Sequence, residues 1–471
     1  MCDGYYFDGD YPEVYDEPLD KLQNFLRRQL KELEKKCPTQ DAATIGFLRG
    51  RRSSRRDAVQ IEIVNLDAPR VLVASREVIF DVAAGSRQQV LGRAWRAGFV
   101  HREGGFGQFV RLVNNLTQRS RTAKDLAEEG QPNTLGVTAS VGKGIGGPDP
   151  VCSPLPQNSR NFQDYHLPAG KPVAGPRPIV AIIDTGIPGD QEDGLPTMIR
   201  TDGWLGDVLR TDSNRDVLDQ LPSRDGYLDY QAGHGTFVAG IVQRVAPTAQ
   251  IRMYRAADTD GFADDFAIAD ALRLAVADGA QIINVSLGMV TKDDVPPPAL
   301  AKAIDDVTAG GDVVIVAAAG NFGDDTKCWP AAFEKVVGVG ALIQSDEVGN
   351  DIVPERSGLF EPAPWSSKGG HINFWTVAEG VRSTFVTGYE SPLFDNEPAV
   401  FPENAWAMWS GTSFAAPQIA GVLARVQQEL GKTPRQALKF LHDQGADVKD
   451  QPGKALRILS GVRVVPRALG T

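Results

Sequence analysis

Short apolar runs alternate with helical patterns along the chain from residue 178 onward. The first run, PIVAIID at 178–184, is almost wholly apolar, as a strand buried on both faces should be. Further strand candidates are AQIRMYRA, AQIINVSLG, GDVVIVAAAGN and KVVGVGAL. Helical patterns at 263–279 and 298–311 lie between them, and both end at glycine. This alternation predicts an α/β fold with a mostly parallel sheet and helices on both of its faces.

The N-terminal part of the chain follows other patterns. Residues 18–37 carry leucine and phenylalanine at three- and four-residue spacing, which predicts an amphipathic helix. Residues 57–129 contain stretches such as AVQIEIVNL that alternate like strands, and they predict a small mixed α+β domain. Residues 130–177 are rich in glycine, proline, serine and asparagine without a regular period, so they predict a linker.

These patterns divide the chain into four parts. Residues 1–56 comprise an acidic N-terminus, the amphipathic helix and a basic loop, RGRRSSRR. The small mixed domain follows at 57–129, the linker at 130–177 and the α/β domain at 178–471. The default interpretation of the basic loop is an exposed, solvated segment, although a nucleic-acid patch, a partner patch or a processing site has the same composition.

Composition narrows the class of protein. The chain has 471 residues, of which 42% are hydrophobic and 23% charged, as in a globular protein with a sizeable core. A net charge of −11 argues against a general nucleic-acid binder, and no apolar run is long enough to cross a bilayer. The first twenty residues carry seven acidic and no basic side chains, unlike a secretory signal. We therefore expect a cytoplasmic protein with reduced thiols.

Four polar residues stand where predicted strands end or predicted helices begin: Asp184, His234, Asn321 and Ser413. Ligands of parallel sheets bind beyond the carboxyl ends of the strands. Each residue also has an ordinary structural alternative, since Asp and Asn form turns and Ser caps helices. Their joint occurrence in the order Asp, His, Asn, Ser favours a catalytic arrangement over four separate structural roles.

The motifs AIIDTGI, GHGTFVAGIV, INVSLG, VAAAGN and SGTSFAAPQIAG resemble those of subtilisin-like serine proteases, and the resemblance covers residues 175–445. The order Asp, His, Ser is that of subtilisin. The resemblance implies a serine endopeptidase that works through an acyl-enzyme, with Ser413 as nucleophile and His234 as its base. It also implies that Asp184 orients the imidazole and that Asn321 donates to the oxyanion.

The same resemblance implies a substrate cleft with two walls. Ser286, Leu287 and Gly288 should form one wall, and the stretch that contains Gly261 should lie along the other. The substrate backbone would pair between the walls as an added strand.

A primary specificity pocket is also implied by the family pattern. Gly320 and the region near Cys328 should line it, and an apolar preference is expected. The bond between Trp329 and Pro330 is a candidate for a cis peptide, and the aromatic-rich insertion at 383–408 is expected to border the cleft.

This chemistry requires no cofactor. The four cysteines are far apart in sequence and form no metal-ligand cluster. The acidic run DTDGFADD at 258–265 lacks the spacing of an EF-hand, and we interpret it as a solvated helix start. Calcium stays an open alternative without a clear site, and no metal ligand is assigned.

Two roles are open for the N-terminal region. Residues 58–114 have the size and pattern of the inhibitory prodomain of secreted subtilases, so we expect this region to restrain the enzyme as in a zymogen. The competing hypothesis is a partner- or signal-sensing module that is never removed. For the whole chain, the alternative is a catalytically silent subtilase fold with a binding or regulatory role. The expected partners are a protein or peptide substrate and the N-terminal region itself, with no nucleic acid and no membrane.

Overall fold

The computed structural model describes residues 176–189, 191–192, 195–196, 205, 207–219, 226–344, 360–391, 398–402 and 405–459. Ahead of residue 176 it describes seven strands: Gly46–Leu48 (β1), Ala58–Val64 (β2), Val71–Asp81 (β3), Phe99–His101 (β4), Phe109–Asn114 (β5), Gln131–Thr138 (β6) and Asp149–Pro150 (β7). The first five form an antiparallel sheet in the order β1-β2-β3-β5-β4, and β6 pairs antiparallel with β3.

The strands from residue 176 onward are Ile179–Asp184 (β8), Gln191–Glu192 (β9), Leu195–Pro196 (β10), Gln250–Arg255 (β11), Phe262–Asp264 (β12), Ile282–Val285 (β13), Leu287–Gly288 (β14), Val314–Ala318 (β15), Val336–Gln344 (β16), Phe360–Pro362 (β17), Ile372–Val377 (β18), Val381–Thr384 (β19), Gly388–Tyr389 (β20), Val400–Phe401 (β21), Trp406–Trp409 (β22), Ala446–Val448 (β23) and Gln451–Ala455 (β24). The central sheet has the order β11-β8-β13-β15-β16-β18-β24-β23. Every neighbouring pair from β11 to β24 is parallel, while β17 and β23 pair antiparallel.

Five helices are described, namely His234–Val245 (α1), Asp265–Ala277 (α2), Pro298–Thr308 (α3), Ala416–Leu430 (α4) and Pro434–Gln444 (α5). Local chemistry fixes several of their ends. The Asp264 side chain accepts from the Ala267 N–H at the start of α2, and Thr433 forms a capping box with Gln436 at the start of α5. Gly431, in the left-handed region, ends α4.

The central strand β8 is buried on both faces. Val180 and Ile182 pack in a core with residues of α1 and α4, whereas Ala181 and Ile183 pack in a second core with residues of α2 and α3. Successive side chains of a strand point to opposite faces, which explains why an apolar sequence is required here up to the terminal Asp184. The predicted mostly parallel sheet with helices on both faces is confirmed.

Other expectations fall partly or wholly outside the described residues. The amphipathic helix at 18–37 and the basic loop at 49–56 lie outside them. Within the linker predicted at 130–177, residues 131–138 and 149–150 form β6 and β7. Both strands pair with distant segments, so their conformation is set by tertiary contacts that the local composition does not reveal. Within the described helices, none is long and apolar enough to span a membrane.

Candidate active site

Asp184 and His234 form a buried pair at the carboxyl edge of the central sheet. Asp184 is the last residue of β8, and His234 is the first residue of α1, where Gly233 in the left-handed region turns the chain into the helix. The imidazole Nδ1 lies 2.7 Å from Asp184 Oδ1, and both side chains are fully buried. A carboxylate at Nδ1 fixes the tautomer in which Nε2 carries the lone pair. The ring therefore presents its basic nitrogen away from Asp184.

Ser413 lies in a 3₁₀ turn, Thr412–Phe414, immediately ahead of α4. Its Oγ donates to the Ser286 carbonyl over 2.8 Å, and Ser286 Oγ donates to the Ser413 carbonyl over 2.7 Å. Within the described residues, His234 Nε2 has no hydrogen-bond partner. The serine side chain is thus turned toward Ser286 rather than toward the histidine.

Asn321 follows β15 and faces the same turn. Its Oδ1 accepts from the Thr412 N–H over 3.0 Å and from Thr412 Oγ1 over 2.9 Å. Thr412 Oγ1 in turn accepts from the Gly320 N–H over 3.1 Å. Since the carboxamide oxygen is used on this side, its amide nitrogen points the other way, and the side chain is held in one orientation.

The two predicted cleft walls both pair with β6. Phe262, Ala263 and Asp264 of β12 pair antiparallel with Val137, Gly136 and Leu135. On the other side, β14 pairs antiparallel with the same strand, so that Leu287 meets Thr138 and Gly288 meets Val137. Gly261, at φ +88°, leads into β12, and its N–H donates to the Asp258 carbonyl. A segment of the chain itself therefore lies between the walls.

Cys328 borders the wall that carries Gly288. The thiol is buried, which raises its pKa to about 12, and it fills the space in which a Cβ on Gly288 would stand. The next bond, Trp329–Pro330, is cis, as the family pattern indicated. Lys327 and Asp294 form an ion pair over 3.6 Å, and both side chains are about half exposed. This pair therefore places no buried charge near Cys328.

The acidic run at 258–265 is a helix start, but the expectation that it is solvated is wrong. Asp258, Asp260, Asp264 and Asp265 are each no more than 4% exposed. Backbone N–H groups of Asp260 and Phe262 donate to Asp258, and the Tyr230 N–H donates to Asp260. Burial, followed by the charge of Asp260, raises the pKa of Asp258 well above its usual range. Within the part of the chain that the structure describes, no three or more His, Cys, Asp or Glu side chains are grouped so that they could hold a metal ion.

Aromatic rings surround the histidine in a way that the sequence did not indicate. Trp409 meets the imidazole edge-on at 5.5 Å between ring centroids, and Phe414 lies at 5.4 Å. Phe237 packs against both rings. Trp409 closes β22 and directly follows the insertion at 383–408 that is predicted to border the cleft. These contacts exclude water from one side of His234.

The chain is thus an α/β protein whose mostly parallel sheet carries an aspartate–histidine pair and a serine turn at one edge. The subtilase family model matches residues 175–454, more than half of the chain. The chain belongs to the subtilase family.

Individual relatives share about 30% of their aligned residues with this chain. The chain is 30% identical over 279 residues to a thermophilic serine proteinase of Bacillus sp. (strain AK1), covering 57% of this chain and 56% of the relative. It is 29% identical over 206 residues to subtilisin BL of Lederbergia lenta, covering 42% of this chain and 64% of that protein. The chain thus spans less than two thirds of either relative. A crystal structure of a lanthipeptide protease aligns with 24% identity and a TM-score of 0.43, over 59% of this chain and 85% of the other.

Proposed function

We propose that this chain is a serine endopeptidase that hydrolyses peptide bonds through an acyl-enzyme on Ser413. The observation that carries the proposal is the buried Asp184–His234 pair, which leaves Nε2 as the basic nitrogen of the ring. Membership of the subtilase family and similarity to named serine proteinases support it. Covalent modification of Ser413 by a fluorophosphonate, located by mass spectrometry of the full chain, tests it.

The reaction uses the proton-accepting nitrogen of His234. Ser413 Oγ rotates from the Ser286 carbonyl toward Nε2, transfers its proton there and attacks the substrate carbonyl carbon. His234 then delivers that proton to the departing amine as the C–N bond breaks. Water hydrolyses the resulting ester with His234 acting again as base. Asp184 stabilises the imidazolium that forms in each half of the reaction.

Asn321 supplies a hydrogen bond to the oxyanion in this proposal. Replacing Asn321 by alanine should lower kcat about 10²–10³-fold with little change in KM, the loss known for the corresponding donor in subtilisin itself. The reason is that the donor is held in place by Thr412 before substrate arrives and acts only on the developing charge. Steady-state hydrolysis of a fluorogenic peptide measures both constants. Gln444→Ala, which removes an exposed amide at the end of α5, should leave both unchanged.

The N-terminal region restrains the enzyme by occupying its cleft. Substrates of this kind bind as an added strand between two edges of the enzyme. The backbone of β6 takes that position, between β12 and β14, while it also pairs with β3 of the N-terminal sheet. Thr138 at its end pairs with Leu287, the neighbour of Ser286. A peptide substrate therefore has to displace β6 before its carbonyl reaches Ser413.

One observation favours the alternative of a catalytically silent fold with a binding role. Ser413 Oγ donates a hydrogen bond to the Ser286 carbonyl, and His234 Nε2 has no hydrogen-bond partner in the described part of the chain. If this arrangement persisted after β6 left the cleft, the serine would not be activated. A chain that binds a peptide but reacts with no fluorophosphonate, even when the strand is displaced, would support the binding role.

A further inference from the structure

We propose that Asp216 is a positioning residue, which holds the segment that carries Asp184 against the segment that carries His234. The inference rests on the proposed function, because the geometry of the Asp184–His234 pair matters for catalysis only if the pair activates Ser413. Asp216 lies in the stretch after the 3₁₀ turn Asp212–Asn214 and is fully buried. It belongs to neither β8 nor α1, and no sequence motif marks it.

The Asp216 carboxylate bridges the two segments directly. Its Oδ2 accepts from Thr185 Oγ1 over 3.1 Å and from the Gly233 N–H over 2.8 Å. Thr185 follows Asp184 in the chain, and Gly233 precedes His234. The second oxygen, Oδ1, accepts from the Leu218 N–H over 3.2 Å, which fixes the carboxylate on its own loop. One oxygen thus touches the immediate neighbours of both members of the pair.

Thr185 extends this bridge to the pair itself. Its N–H donates to Asp184 Oδ1 over 2.7 Å, to the same oxygen that His234 contacts. Its Oγ1 also accepts from the Gly235 N–H over 3.0 Å. The two backbones are in direct contact here, because a Cβ on Gly235 would stand 2.2 Å from the Gly186 carbonyl oxygen. A small displacement of either segment would therefore change the Asp184–His234 distance.

The ionised form of Asp216 is the one that can accept all three hydrogen bonds at once. Burial raises its pKa to about 6, against the lowering effect of the Gly233 N–H, the Arg255 charge, the Leu218 N–H and Thr185. Among the described residues, the charge that acts on this carboxyl is that of Arg255 at the end of β11. The carboxylate is ionised at neutral pH and becomes protonated in mildly acidic solution.

The test compares Asp216→Asn, Thr185→Val and Thr185→Ser in the full chain. Asparagine keeps the volume of Asp216 but replaces one of its two acceptor oxygens by an NH2 donor. Valine keeps the volume of Thr185 and removes its hydroxyl, whereas serine keeps the hydroxyl. Reaction with a small fluorophosphonate separates the maximal inactivation rate from the concentration that gives half of it. We expect Asp216→Asn and Thr185→Val to lower the maximal rate about tenfold to a hundredfold at an unchanged half-saturating concentration. Thr185→Ser should retain most of the rate.

A double variant identifies the shared network. Because both groups act through the same hydrogen bonds, Asp216→Asn combined with Thr185→Val should be little slower than Asp216→Asn alone. Additive losses would contradict a common role. If Thr185→Ser loses as much of the maximal rate as Thr185→Val, the losses reflect general damage to the fold, and the proposal is overturned.

The titration of Asp216 gives a readout that does not depend on activity. A carboxyl whose pKa is higher in the folded than in the unfolded chain stabilises the fold below pH 4, and that stabilisation is lost as the pH rises through about 6. Asp216→Asn lacks this loss. The Tm of the variant relative to the unsubstituted chain should therefore rise between pH 4 and pH 7. A difference in Tm that is constant over this range would contradict a buried, ionising Asp216.

These outcomes separate the inference from the proposed function. If the unsubstituted chain reacts with the fluorophosphonate and Asp216→Asn reacts at the same maximal rate, the positioning role is wrong while the protease proposal stands. If the unsubstituted chain does not react even with β6 displaced, the proposed function fails first. The pH dependence of Tm would still report whether Asp216 ionises in the folded chain.

Discussion

Ser413→Ala is expected to abolish fluorophosphonate labelling and to lower peptide hydrolysis about 10⁶-fold, the loss known for removal of the nucleophile from subtilisin itself. The Oγ of Ser413 is the atom that would form the ester, and the neighbouring hydroxyl of Ser286 cannot replace it. That hydroxyl is committed to the Ser413 carbonyl. Labelling is measured by intact-mass spectrometry, and hydrolysis with a fluorogenic peptide.

A second serine serves as the matched control. Ser213→Ala removes a hydroxyl that bonds to Thr211 on the surface, and it should leave labelling unchanged. Residual labelling of Ser413→Ala at another serine would contradict the assignment of the nucleophile. If the unsubstituted chain is not labelled either, the result would indicate that β6, which lies between β12 and β14, keeps the reagent from Ser413.

Gly136→Val is expected to increase peptide hydrolysis by the full chain. Gly136 lies in β6 opposite Ala263, and a Cβ there would stand 3.1 Å from the Gly288 carbonyl oxygen and 3.3 Å from Met289 Cε. Overpacking of this kind costs about 1–3 kcal/mol. It would shift the equilibrium between the occupied and the open cleft by about five- to 150-fold. Rates of fluorogenic peptide hydrolysis by the two full-length chains measure the effect.

The control for this variant is a glycine with free space around it. A Cβ on Gly310 would meet nothing within 4 Å, so Gly310→Val should leave the hydrolysis rate unchanged. Equal rates for Gly136→Val and the unsubstituted chain, with both shown to be folded, would contradict restraint by β6. A decrease would indicate that the strand supports the cleft instead of blocking it.

Features of this fold that depend on local sequence could be predicted. The apolar run of β8 requires burial on two faces, and the glycine-flanked His234 lies at a helix start as expected. The motifs around Asp184, His234 and Ser413, together with their chain order, are sufficient to indicate the family. Pro417 is the second residue of α4, a position in the first turn where a missing N–H costs little.

Features that depend on pairing between distant segments could not be predicted in the same way. The sequence of β6, QPNTLGVT, has a proline, a glycine and no alternation, and it forms a strand because edges on either side supply hydrogen bonds. The burial of Asp258 depends on donors in its folded loop, and Asp216 lies in a stretch without any period. In both cases the missing information is which backbone N–H groups will face the carboxylate.

If β6 restrains the enzyme as proposed, its double pairing ties the cleft to the small N-terminal sheet. The same strand is held by β3 in one sheet and by the cleft strands in the other. An occupant attached to its own enzyme competes at an effective concentration of about millimolar, which dilute peptides do not match. Access would then be governed by whatever loosens the N-terminal sheet, such as a bound partner, mechanical pull or heat, at a site distant from Ser413. The cleft would then determine which substrate is cleaved, whereas the N-terminal sheet would determine when the enzyme is active.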